Sequence, residues 1–303
     1  MNSAALIGLD WGTSSLRAYL LGADGAIIKR RDAALGIMQV REGRFVAALE
    51  EACGDWLRAH PQVPVLLAGM IGSKQGWLEA PYRACPADAA AIAANLAPLP
   101  LPDRSAYIVP GLSHVNSAGV PDVMRGEETQ IIGAIAATGE HLAVLPGTHS
   151  KWAWVKHGAV TAFASFMTGE IYAALSSHTI LGRLMQLDAP HEAAAFARGV
   201  GYGLAAPQAL MSRVFSARTL GLFGQLADTA LPSYLSGLLI GSEIGGALGM
   251  MPNAGSVTIL GNAALTSRYT EAFAIAGIPA LAGAPDCAAQ GLWRIARAAG
   301  LAA

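Results

Sequence analysis

The sequence predicts an α/β protein built from two domains of related topology. Three observations carry this reading. Residues 6–31 form a block of three strand-like segments, the first two joined by a turn rich in glycine and hydroxyls. The same pattern returns over residues 142–166, with a second turn of that kind. After each block, apolar residues recur at helical spacing.

The elements follow in order. An apolar run from Leu6 ends at Asp10, the turn is Trp11-Gly12-Thr13-Ser14-Ser15, and a second apolar run carries Arg17. Gly22-Ala23-Asp24-Gly25 is the next turn, before a third strand over 26–31. Phe45, Leu49, Ala52 and Trp56 share one face of a helix over 43–59, which Pro61 ends. Residues 64–68 read as a buried strand ended by Gly69, and 70–86 as a loop. A short helix over 87–96, a strand over 107–109 and a loop over 110–121 come next. A helix of small residues starts at Glu127 and runs to about 138.

The second block has strands over 142–145, 151–155 and 159–166, with Pro146-Gly147-Thr148-His149-Ser150 as its first turn. Helices over 170–185, 191–204, 207–215 and 234–249 follow. A strand over 257–260 precedes helices over 265–276 and 286–299. The expected domains are 1–139 and 140–303, and the last helix, 286–299, can pack back on the first.

Composition narrows the function classes. Among 303 residues, 53% are hydrophobic and 14% charged, which suits a well-buried protein and argues against disorder. The formal net charge of −1, without a long basic run, argues against nucleic acid or an anionic membrane as partner. Cys53, Cys85 and Cys287 lie far apart and are odd in number, as free thiols of a reducing compartment are. The N-terminal segment lacks a basic stretch before its apolar run, unlike a signal peptide. The apolar stretch 238–251 contains Glu243 and is too short to span a bilayer. A cytoplasmic protein is expected, and the high apolar fraction is compatible with a homodimer.

The first turn has the chemistry of a phosphate seat. Gly12 lets an anion approach backbone N–H groups, Thr13 and Ser14 add hydroxyl donors, and Arg17 adds a fixed charge. Asp10 would repel a phosphate unless a cation such as Mg²⁺ lies between them. An ordinary hairpin turn has the same composition, so this segment alone decides nothing. The second turn repeats the set with Gly147, Thr148, His149, Ser150 and Lys151. Two such turns, on domains facing each other across a cleft, could grip a polyphosphate from both sides.

This arrangement resembles the actin, hexokinase and acetate kinase superfamily, which implies two actin-like ATPase (ribonuclease H-like) domains with mixed sheets around an interdomain cleft. Asp10-Trp11-Gly12-Thr13 to Arg17 matches its first phosphate motif, and Gly147 to Lys151 stands where the second belongs. The strand from Val257 to Leu260 with Gly261-Asn262-Ala263-Ala264 resembles the adenosine motif. The second motif lacks the superfamily's usual acidic residue, which leaves metal coordination from that side open.

The combination of Trp11, Gly69-Met70-Ile71-Gly72-Ser73-Lys74-Gln75-Gly76-Trp77, Met124-Arg125-Gly126-Glu127-Glu128-Thr129-Gln130 and Leu145 to Trp152 is similar to the 2-dehydro-3-deoxygalactonokinase family. Phe166-Met167-Thr168-Gly169-Glu170 and Gly241-Ser242-Glu243-Ile244 fit it too. The resemblance covers nearly the whole chain. It implies phosphorylation of the 6-hydroxyl of 2-dehydro-3-deoxy-D-galactonate by ATP with Mg²⁺, in galactonate breakdown.

A sugar kinase needs a base, a phosphate clamp and a seat for the rest of its acceptor. Glu127 is the expected base from its place after Gly126. Glu128 is the reserve, and either glutamate could instead offset a helix dipole. Lys151 and Arg17 would spread the phosphoryl charge, and Asp10 would hold Mg²⁺ directly or through water. Arg125 suits the acceptor's carboxylate, with Lys74, Ser73, Gln75 and Trp77 around the polyol and Glu128 at its margin. A solvated arginine and a mobile surface loop are the plainer alternatives. His149 reads as a hydrogen-bonding turn residue, because no second His or Cys stands at ligand spacing. Glu243 needs a partner in its apolar helix, either a ribose hydroxyl or a neighbouring helix end. Gly261 and Asn262 would lie against the nucleoside. Two other readings remain: a kinase for a related 2-keto-3-deoxy acid, and a non-catalytic nucleotide or sugar sensor.

Overall fold

The computed structural model describes residues 3–250 and 257–302; the end of the apolar 238–251 stretch, Met251, lies outside them. The chain divides into two compact units, 1–139 with 155–163 and 284–303, and 140–154 with 164–283. The last helix, Cys287–Ala298, is thus part of the first unit.

In the first unit the strands are β1 (Ala4–Trp11), β2 (Leu16–Gly22), β3 (Ile27–Ala33), β4 (Val65–Ala68), β5 (Tyr82–Ala84), β6 (Ala97–Pro98), β7 (Ala106–Ile108), β8 (Gly111–Val115) and β9 (Pro121–Met124). Its helices are α1 (Phe45–Ala59), α2 (Ala89–Ala93), α3 (Glu127–Ala134) and the terminal one. The main sheet has the order β3-β2-β1-β4-β7-β6. β1 to β3 are antiparallel neighbours, and β1, β4 and β7 run parallel. β1 and β4 are apolar runs because both their faces are covered. Phe45, Leu49 and Trp56 of α1 share one core with Ile7, Leu9 and Trp11. Leu292 of the terminal helix stands against Gly8 of β1. Each such aliphatic side chain taken fully out of water contributes about 1.5–3 kcal/mol.

Two stretches read as loops contain strands. β5, β8 and β9 form a separate three-stranded sheet in the order β5-β8-β9. Ser113 and His114 break the apolar alternation of β8, and Pro121 opens the edge strand β9, where a missing N–H costs nothing. The Asn116 carboxamide oxygen accepts from the N–H groups of Ala118 and Val120 and shapes the hairpin between them. The helix expected to reach 138 stops at Ala134. Arg294 of the terminal helix donates through Nη1 to the Ile132 and Ile135 carbonyls at 2.6 and 3.0 Å, closing the end of α3.

A second sheet has the order β12-β11-β10-β13-β14, its strands β11 and β12 running partly through residues 155–163, which are counted with the first unit. Its strands are β10 (Glu140–Leu145), β11 (Ser150–Lys156), β12 (Ala159–Phe166), β13 (Val257–Ile259) and β14 (Ala280–Ala282). β10, β13 and β14 run parallel. The connectivity therefore repeats that of the first unit: third, second and first strands of the block, then two parallel strands reached by crossovers. The helices are α4 (Thr168–His178), α5 (Ala193–Ala205), α6 (Leu210–Arg213), α7 (Ser216–Leu222), α8 (Leu231–Met250) and α9 (Ala263–Ile275). α8 is buried nearly all round, and the backbones of α5 and α8 touch where Gly199 faces the Tyr234 carbonyl and Gly241 faces that of Val200. α7 and β14 escape the periodicity because both are short, and β14 is largely exposed.

Candidate functional site

In the first unit the residues of interest gather at the carboxyl ends of β1 and β4, where ligands of parallel sheets bind. Gly69 follows β4 at φ +95°, and a Cβ there would stand 2.8 Å from the Trp11 carbonyl oxygen. Gly126 precedes α3 at φ +106°, and its Cβ would meet the Gly69 Cα at 3.1 Å. Only glycine adopts both conformations without strain. This three-way contact joins the first turn, the 70–77 loop and the start of α3.

Asp10 ends the apolar run of β1, opposite Arg17 of β2. Their side chains stand 3.5 Å apart, with Asp10 only 11% exposed. Burial raises the Asp10 pKa against the lowering effect of Arg17. The Gly12 N–H donates to the Ser15 carbonyl at 2.9 Å and closes the turn. The Gly12 and Thr13 carbonyls accept from Ile37 and Met38, which leaves Thr13 and Ser14 on the surface. Trp11 is buried, its indole donating to the Leu35 carbonyl.

The Lys74 loop divides in two. Lys74 and Gln75 are exposed, the Ser73 hydroxyl donates to the Met70 carbonyl at 2.7 Å, and Trp77 stacks on Phe45 at 5.9 Å. Trp77 therefore spends one face on the core. Glu127, half-buried, accepts from the Arg125 backbone N–H at 3.0 Å. Glu128 is fully buried, accepting from the Gly126 N–H at 2.6 Å and the Thr129 hydroxyl at 2.9 Å. Burial first, and the Glu127 charge second, push its pKa up to about 8. Glu128 thus braces the helix start, as a side chain answering the exposed N–H groups there does.

That buried carboxyl has a consequence for stability. Its folded pKa lies above its unfolded value, so between roughly pH 4.5 and 8 the folded chain holds a proton that the unfolded chain has lost. Stability from this group is present below that window and is lost as pH rises through it, by at most about 1.4 kcal/mol per pH unit. Buried Glu243 adds a trend of the same sign. Glu128→Gln is therefore expected to flatten the fall in unfolding temperature between pH 6 and 8.5, measured against wild type by calorimetry. An unchanged slope would show that Glu128 ionises in the folded state as readily as in the unfolded one.

In the second unit the turn lies at the carboxyl end of β10, beside that of β13. Thr148 and His149 are exposed. The N-terminus of α4 packs on them: Gly169 abuts the Gly147 carbonyl, and the Glu170 N–H donates to the Thr148 carbonyl at 3.0 Å. The Glu170 carboxylate meets His149 Nε2. The sequence offered Glu170 only as the end of the motif Phe166 to Glu170; its pairing with His149 depends on α4 opening directly after the third strand of the block. Gly261 lies by Pro146, and the Asn262 side chain caps α9 by accepting from the Leu265 N–H at 2.9 Å.

Three expected ligands of the nucleotide are instead engaged within the unit. Ser150 is fully buried, its hydroxyl 2.9 Å from that of Tyr269. Lys151 is 7% exposed and donates to the Ser165 hydroxyl. Glu243 accepts from the Trp152 indole and the Tyr269 hydroxyl, each at 2.7 Å. Burial raises its pKa, against hydrogen bonds led by Thr168. Where the sequence left a ribose hydroxyl or a helix end as the partner of Glu243, protein donors reach both its oxygens, as a buried carboxylate requires. These side chains hold the strand that carries the second turn. Beside them lies a cavity of about 440 Å³, its walls including Phe166, Thr168, Ile171, Leu239 and Glu243.

Burial pushes the Cys85 thiol up to about 11, which keeps it in the thiol form rather than the nucleophilic thiolate at neutral pH. Among the described residues no group of three His, Cys, Asp or Glu side chains could hold a metal. Asp10 alone, a buried carboxylate beside a phosphate-type turn, fits Mg²⁺ that keeps most ligands as water and phosphate oxygen. No helix among the described residues is long and apolar enough to cross a membrane.

Comparison with known proteins bears on this geometry. Residues 10–295 match the family model for 2-keto-3-deoxy-galactonokinase. The chain is 36% identical to the 2-dehydro-3-deoxygalactonokinase of Escherichia coli (strain K12) over 98% of this chain and 99% of that protein. It superposes on a crystal structure of a candidate 2-dehydro-3-deoxygalactonokinase from Sinorhizobium meliloti with a TM-score of 0.87, at 36% identity, covering 97% and 98% of the two chains. A xylulose kinase from Lactobacillus acidophilus, 11% identical, shares the fold at a TM-score of 0.53 over 98% and 89%.

Proposed function

The chain belongs to the 2-keto-3-deoxy-galactonokinase family, and from that premise we propose that it transfers the terminal phosphoryl group of ATP to the 6-hydroxyl of 2-dehydro-3-deoxy-D-galactonate. The products are 2-dehydro-3-deoxy-6-phosphogalactonate and ADP. The observation that carries the assignment of roles is the contact of Trp11, Gly69 and Gly126. It brings a half-buried carboxylate, Glu127, and an exposed phosphate-type turn to one end of one sheet.

Glu127 orients the acceptor hydroxyl and takes its proton as the phosphoryl group arrives. Glu128 stays a brace, because its oxygens are occupied and out of reach of solvent. In the first unit Thr13 and Ser14, with the backbone of Gly12, offer donors for phosphate oxygens, and in the second unit Thr148 and His149, with that of Gly147, do so. Arg17 shares its charge between Asp10 and the phosphates. Lys151 acts on them at longer range, through the strand it leads. Gly261 and Asn262 lie by the nucleoside, where the capped start of α9 offers backbone in place of side chains. Mg²⁺, when bound, screens phosphoryl charge, and Asp10 is the residue that would hold it, through water. Arg125 takes the carboxylate of the sugar acid, and Lys74 and Gln75 its hydroxyls.

A cytoplasmic setting suits an enzyme that draws on ATP and a sugar acid, and the chemistry does not turn on whether it acts alone or as a homodimer. The test is ADP release measured across a panel of 2-keto-3-deoxy sugar acids. ADP is expected only when an acid is present, with the galacto epimer giving the highest kcat/KM. A preference for the gluco epimer would reassign the substrate within the class. ATP consumption independent of any acid would favour a sensor on the same fold and overturn the kinase reading.

A further inference from the structure

Arg125 sits in a setting that a surface arginine never needs. It is 8% exposed, and of its three guanidinium nitrogens only Nη2 has a partner, the Ala80 carbonyl at 2.7 Å. Among the described residues neither Nε nor Nη1, both buried, finds a hydrogen-bond partner, so no described carboxylate accepts from them. A buried charge left this way is costly and calls for an anion. The surroundings are shaped to hold it. The Tyr82 ring lies 4.3 Å from the Arg125 Cζ, face-on. That ring packs over Gly111, where a Cβ would stand 2.7 Å from it. On another side Nη1 rests on Gly72, whose Cβ would come within 2.9 Å. Two backbone gaps and one aromatic face thus fix the plane of the guanidinium.

We infer that Tyr82 is a positioning and specificity-determining residue: its ring holds Arg125 in the orientation that receives the acid end of the substrate, so that the enzyme selects an acid over a neutral polyol. The inference rests on Arg125 as the carboxylate ligand. The ring face attracts a cation and leaves its hydrogen-bond donors free, which a hydrogen-bonding neighbour would not do. Tyr82 itself is 43% exposed, on the short strand β5. Its replacement therefore opens no large core cavity.

The measurement is kcat and KM for the sugar acid and for its neutral analogue with hydroxymethyl in place of carboxylate. Tyr82→Ala and Tyr82→Leu are expected to raise KM for the acid about tenfold, with kcat and KM for ATP little changed, and to cut the acid-to-neutral kcat/KM ratio by the same factor. Tyr82→Phe keeps the ring and should restore the ratio. An unchanged ratio in both Tyr82→Ala and Tyr82→Leu overturns the inference, as would a loss in Tyr82→Phe equal to theirs. Arg125→Met distinguishes the premise from the inference. If it abolishes the ratio while the Tyr82 variants keep it, Arg125 is the ligand and Tyr82 has no part in selection. If Arg125→Met leaves the ratio intact, the carboxylate is read elsewhere and both statements fall.

Discussion

Glu127→Gln is expected to lower kcat by about 10²–10⁴-fold while nucleotide affinity stays within twofold of wild type. The substitution keeps the shape of the side chain. It also keeps an oxygen that can accept the Arg125 backbone N–H, now made by Glu127 at 3.0 Å. The start of α3 should therefore hold, with its contact to Gly69 intact. What is lost is the basic oxygen that orients and deprotonates the acceptor. Because phosphoryl transfer is loose, much of the effect comes from orientation, so the lower part of that range is already decisive. Glu128→Gln is the control: it should alter the pH dependence of unfolding far more than it alters kcat. Single-turnover kinetics with the sugar acid, alongside calorimetric titration of ADP, separate these outcomes. Full turnover in Glu127→Gln removes the residue from the mechanism, and the reverse ranking of the two glutamates would exchange their roles.

Glu127 also shows how much the sequence disclosed. The recurrence of a three-strand block with a glycine-hydroxyl turn is a local pattern, and the repeated strand order of the two sheets follows from it. Asp10 opposite Arg17 could be read from the hairpin register alone. What stayed hidden was everything settled by packing between distant segments. Nothing near Lys151 in sequence shows that its ammonium will be taken by Ser165, or that Ser150, Trp152 and Tyr269 will close around Glu243. Glu128 and Glu127 are neighbours of one type, and only the fold buries one and leaves the other half open. Tyr82 was invisible for a similar reason: β5 is three residues long and takes its register from β8, which the polar Ser113 and His114 disguise as loop. The glycines Gly69 and Gly126 were visible as residues, yet their use is a contact between positions 57 apart that no spacing rule reports.

Asp10→Asn is expected to lower kcat by about 10²–10³-fold, with a signature that a merely structural carboxylate would lack. Asp10 is buried, and burial already raises its pKa, so its ionised form is held at a cost that Arg17 at 3.5 Å only partly offsets. Removing the charge relieves that cost, and the unfolding temperature should hold or rise. Arg17 loses its partner at the same time and becomes freer for phosphate. ADP binding measured without metal should then be as tight as in wild type, or tighter. The enhancement of ADP binding by Mg²⁺, read as the ratio of affinities with and without the ion, should largely disappear. A charge that served only to hold Arg17 would give the opposite result: weaker metal-free binding, with the metal enhancement preserved. Titrations of ADP into Asp10→Asn and Arg17→Met, each with and without Mg²⁺, decide between the two. Arg17→Met should lose affinity in both conditions by a similar factor, because its charge acts on the phosphate whether or not the ion is present.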